Sequence, residues 1–142
     1  MSLQDPRTSE RYMPRFEIWM NVFIHYAMIN VVNSLSTLEF ESAQRGSHGG
    51  SMASGQAYAA WDKLVGNVLI LEAHVMDLWT EKDTQFLDSQ TAFHASIRDE
   101  HLGFLGMIEV ATRFYHAIIE LMRRRGLLRF KPPRSFGRRH DE

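Results

Sequence analysis

Three groups of residues have types and spacings that could do chemistry. The first is cationic: Arg123, Arg124, Arg125, Arg129, Lys131, Arg134, Arg138 and Arg139 fall within 17 residues, with Phe130 and Phe136 among them. Guanidinium groups pair with phosphates through two parallel hydrogen bonds, and aromatic rings stack on unpaired bases. The segment therefore suits RNA or DNA. It suits an acidic protein surface equally well, because residues 1–122 hold 8 Lys+Arg against 15 Asp+Glu, whereas residues 123–142 hold 8 against 2. An acidic body followed by a basic tail is the clearest compositional feature of the chain.

Glu72 is the second. It projects from the apolar side of a helical segment that is otherwise Leu- and Val-rich. A carboxylate among apolar neighbours is raw material for acid/base chemistry, and Asn30 is the candidate partner across the core. The plainer alternative is a polar pair that fixes packing, or a glutamate that reaches solvent at a helix edge.

The third group is drawn from the 7 histidines. His94 with Asp99 and His116 with Glu120 have spacings that could put ligands near one another on a helix. The glutamate plus E-x-x-H pattern of di-metal bundles is missing, however, and these residues read more simply as side-chain pairs along helix surfaces. Neither a metal nor a cofactor is expected. The chain has no cysteine, which excludes disulfides, thiolate zinc sites and cysteine nucleophiles. Gly-x-Ser-x-Gly does not occur.

The elements that must position these residues are helical. Strict apolar/polar alternation is absent, as are Asn-Gly and Asp-Gly turns, while apolar residues recur at helical spacing. Pro14 suits the first turn of a long helix running to about Ser42. Its apolar residues wrap most of the circumference, which few neighbours in so short a chain can bury, and homo-oligomerisation is the expectation. Residues 43–56, AQRGSHGGSMASGQ, read as a flexible connector without either glycine-rich phosphate-binding pattern. A second helix is expected over about 57–80. A short third is capped by Thr80 or Asp83 and faces Phe86, Phe93 and Ile97 inward. A fourth covers about 98–125. There Glu109, Thr112, Arg113, His116, Glu120 and Arg124 form a polar stripe, and Leu105, Ile108, Ala111, Phe114 and Ile118 are among the residues opposite it. Gly103 and Gly106 mark close helix contact or a kink near its start, and Gly126 is a C-cap residue. Pro132 and Pro133 make the remainder extended.

At 142 residues and 16.5 kDa the chain has the size of one domain. The apolar stretch Phe16 to Val32 is interrupted by Glu17, Asn21, His25 and Asn30, and mean hydropathy is −0.28, so no transmembrane segment is expected. The polar N-terminus does not resemble a secretory signal, which makes a cytoplasmic location the default. The expectation is an all-α bundle of about four helices over 14–125, preceded by a segment 1–13 and followed by a basic tail 126–142. The leading function is a non-enzymatic, self-associating subunit that binds nucleic acid or builds an assembly. The alternatives are an interaction or capsid-like subunit whose tail contacts a neighbouring copy, and a helical enzyme around Glu72.

Overall fold

The computed structural model describes residues 6–45, 55–98 and 102–128, with side chains over 19–44, 55–98 and 102–128. Within these residues the fold is all-α. Helix α1 is Pro6–Arg45, α2 is Gly55–His74, α3 is Thr84–Arg98 and α4 is Gly103–Arg124. No helix among the described residues is long and apolar enough to cross a membrane.

Helix α1 begins at Pro6, ahead of the expected start at Pro14, and carries Pro14 inside it. Both prolines suit a first turn, since proline lacks the N–H that would be unbonded there. Proline within a helix costs one backbone hydrogen bond, and the neighbouring turns carry the helix past it. Helix α2 stops at His74, short of the expected Thr80, because residues 75–78 tighten into turns. The Val75 N–H donates to the Glu72 carbonyl at 3.1 Å, and the Leu78 N–H to the Val75 carbonyl at 3.0 Å.

The helices form two hairpins. Helix α1 packs along α2 and α3 along α4, and α4 also touches both α1 and α2. The α1–α2 pair is antiparallel: Asn30 bonds Asn67, while one groove is lined by Glu41 with Gln56 and by Asn33 with Lys63. This register sets the end of α2 opposite Phe23. The remainder of α1, toward Pro6, runs past its partner.

Burial follows the helical period. Ile24, Met28, Val31, Leu35 and Leu38 of α1 face Leu64, Val68 and Leu71 of α2 in one core. Helix α4 is the most one-sided element, with Phe104, Met107, Ala111, Phe114, Ile118 and Leu121 among its buried residues. Phe114 sits at the centre of an aromatic cluster, its ring 5.2 Å from Phe93 and 5.4 Å from Phe86, with Trp79 stacked on Phe86 at 5.7 Å. Each fully buried side chain of this size contributes about 1.5–3 kcal/mol. Phe86 and Phe93 face inward as expected. Leu105 does not: it is 60% exposed, because it stands on the same face of α4 as Glu109, Thr112 and His116, while its neighbour Phe104 is buried.

Two glycines have defined tasks. A Cβ on Gly106 would lie 2.9 Å from the Cβ of Leu102, the residue just before α4, so the close approach is local and not the contact with another helix that is one expectation. Gly126 has φ +72° and ends α4 in a Schellman motif. The Leu127 N–H reaches the Met122 carbonyl at 2.9 Å, and the Gly126 N–H reaches the Arg123 carbonyl at 3.1 Å. A side chain at Gly126 meets open space, so only the backbone conformation resists one. Gly126→Ala is expected to lower stability by about 1 kcal/mol in chemical denaturation, with an unchanged helical signal.

Candidate functional site

The basic segment divides at the end of α4. Arg123 is spent on its own helix: its Nε donates to Glu120 Oε1 at 3.1 Å and its guanidinium NH2 donates to Oε2 at 2.5 Å. The Arg123 hydrogen bond holds the Glu120 carboxyl below the usual carboxylate range. Arg124 and Arg125 turn inward to a single carboxylate, Asp83, whose side chain is 4% exposed. Arg124 donates to Asp83 Oδ1 at 3.0 Å and Arg125 to Oδ2 at 2.9 Å. Arg125 also donates to the Leu78 carbonyl at 3.1 Å. Arg129, Lys131, Arg134, Arg138 and Arg139 lie outside the described residues.

Asp83 immediately precedes α3, and its carbonyl accepts the first helical bond, from the Leu87 N–H at 3.0 Å. Its carboxylate reaches back to the Thr80 N–H at 2.8 Å. That hydrogen bond first, then the charges of Arg125 and Arg124, hold the carboxyl below the usual range, while burial acts the other way. A buried carboxylate with two guanidinium partners joins the α2–α3 link to the end of α4. The sequence marks Asp83 as a cap but carries no local sign of arginines 41 and 42 residues away.

Glu72 is half-buried, its side chain 16% exposed. Its partner is not Asn30, whose side chain donates to Asn67 Oδ1 at 3.3 Å. Asn30 and Asn67 face each other across the α1–α2 seam, whereas Glu72 points to α3. There Gln90 Nε2 donates to Glu72 Oε2 at 2.5 Å, and His94 Nε2 lies 2.8 Å from Oε2 and 3.0 Å from Oε1. Gln90 and His94 are one helical turn apart and so share one face of α3, but that spacing does not reveal Glu72 as their partner. The carboxylate ties α2 to α3 through both of its oxygens. A histidine and one carboxylate fall short of the three or more protein ligands that a zinc site uses. Among the described residues, no three histidines or carboxylates converge. Asp99, the other half of the His94 spacing, lies outside the described residues, and Glu120 serves Arg123 and Arg124.

An exposed apolar stripe on α1 completes the set. Trp19, Val22, Phe23 and Tyr26 are 72%, 45%, 52% and 63% exposed. Their i, i+3, i+4, i+7 spacing puts them on one face, in the part of α1 that reaches the end of α2 and passes it. No protein-family model matches the chain, and neither known proteins nor solved structures give a match.

The Asp83 tie sets a pH dependence. A carboxyl held low in the folded state adds stability that is fully present above its unfolded value of about 3.9, and is lost as pH falls through the folded value. The melting temperature of the wild-type chain should fall more steeply between about pH 5 and pH 2 than that of Asp83→Asn. The variant should be the less stable at pH 7, and the two curves should converge in acid.

Proposed function

We propose that the protein is a non-enzymatic assembly subunit that self-associates through the stripe of Trp19, Val22, Phe23 and Tyr26. The observation that carries this reading is the exposure of these four large side chains on one face of an over-long helix. Isolated exposed apolar residues are ordinary, but a contiguous aromatic stripe marks an interaction surface. The stripe is close to symmetric about Val22–Phe23, as a two-fold interface requires. An antiparallel pairing sets Trp19 of one copy against Tyr26 of the other, and Val22 against Phe23. Eight such side chains at roughly 1.5 kcal/mol each exceed the lower part of the ~4–15 kcal/mol that association costs, giving a dimer that dissociates on dilution.

Light scattering on the full chain across concentration tests this. Phe23→Glu with Tyr26→Ser should lower the mass toward the monomer at unchanged helicity, since both side chains are exposed. Leu105→Glu, an exposed apolar position on another helix, should leave the mass alone. Loss of association only on removal of residues 126–142 would instead support a tail that contacts a neighbouring copy.

A second reading, nucleic-acid binding by the tail, is favoured by the five basic residues beyond Leu128 interleaved with Phe130 and Phe136. With Arg123, Arg124 and Arg125 committed to carboxylates, about five phosphate contacts are available. Duplex DNA binding should then show a slope of log K against log salt near −4.5, and not the −7 that eight contacts would give. Binding that survives removal of residues 126–142 with an unchanged slope would remove the tail from this role.

A further inference from the structure

The α1–α2 seam contains a groove of about 580 Å³, distinct from the apolar stripe, from Glu72 and from Asp83. The α1 side of the groove presents Asn33, Ser34, Thr37 and Phe40. Ala59, Ala60 and Lys63 line the α2 side, with Gln56 and Glu41 at the far end. Small residues account for the hollow: alanines on α2 leave unfilled the space that larger side chains occupy elsewhere along the seam.

Three groups in this groove are incomplete. Ser34 is 3% exposed, and its hydroxyl has no hydrogen-bond partner among the described residues. Buried hydroxyls are normally bonded, and a helical serine ordinarily uses the carbonyl one turn back. The Lys63 ammonium makes no ion pair among the described residues. The Phe40 ring, on the groove wall, is 61% exposed. Lys63 and Gln56 are seven residues apart on one face of α2, so the groove is about 10 Å long.

From these observations we infer that the groove binds a small aromatic monocarboxylate, its carboxylate on Lys63 and its ring over the alanines against Phe40. Rotation about χ1 lets the Ser34 hydroxyl meet a polar atom of the ligand. The volume is that of a small-molecule site, and the lining sets polar side chains around the apolar surface of Phe40, Ala59 and Ala60.

The test is a titration of the full-length protein with phenylacetate, followed by amide chemical shifts. Saturable shifts confined to residues 33–41 and 56–63 are expected. Lys63→Met, which keeps the aliphatic stem, should weaken binding about tenfold or more, the loss that goes with one charge-assisted contact. Ala59→Leu, which fills an exposed part of the groove, should abolish it. Acetate and benzyl alcohol, each lacking one half of the ligand, should bind more weakly than phenylacetate. Melting curves of both variants establish that they are folded. Shifts that do not saturate, that spread over the whole chain, or that persist in folded Lys63→Met and Ala59→Leu would overturn the assignment. So would acetate binding as tightly as phenylacetate.

Discussion

A helix of 40 residues rises about 60 Å, and the three helices beside it have 20, 15 and 22 residues. None can accompany α1 along its whole length. The Asn30–Asn67 contact fixes the register of the α1–α2 hairpin and so decides which part of α1 is covered. From Ile24 onward its apolar face enters the core. Trp19, Val22, Phe23 and Tyr26 lie where α2 ends, or on the side that no neighbour covers. The exposed stripe is thus a geometric consequence of helix length and register, and it is the feature from which the functional reading grows.

The second organising feature is electrostatic. Asp83 is a buried carboxylate at the junction of α2 and α3, and burial penalises a charge left unpaired. Two guanidiniums and the Thr80 amide offset that cost. The same pairing closes the α3–α4 hairpin, because Asp83 stands just before α3 and Arg124 and Arg125 at the end of α4. Glu72 makes a similar tie higher in the bundle through Gln90 and His94. The two hairpins share one apolar core, and these polar contacts fix how the α2–α3 link sits beside it. The charge asymmetry of the sequence is therefore partly consumed within the fold: three of the eight basic residues at the C-terminal end pair with carboxylates of the body.

What the sequence made legible was local. The apolar period of α4, the inward turn of Phe86 and Phe93, and the C-cap at Gly126 depend on residues within a few turns of one another, and the structure has each of them. The start of α1 was ambiguous because Pro6 and Pro14 satisfy the same first-turn rule. Leu105 is expected on the apolar side, yet its spacing from Glu109, Thr112 and His116 puts it on the polar stripe, in solvent. Long-range pairing was not legible. Asn30 meets Asn67 and Glu72 meets His94 because of the hairpin register and the α2–α3 crossing, and neither can be read from spacing within one helix. The groove beside Ser34 was missed for a similar reason: alanines signal a hollow only once the opposing helix is known.

Self-association through α1 is the central claim, and its most direct test is an isotope-filtered NOE experiment on a one-to-one mixture of labelled and unlabelled full-length protein. The account predicts intermolecular contacts between the ring protons of Trp19 and Tyr26, and between those of Phe23 and the methyl groups of Val22. A concentrated sample with no intermolecular contacts from these four side chains would contradict it.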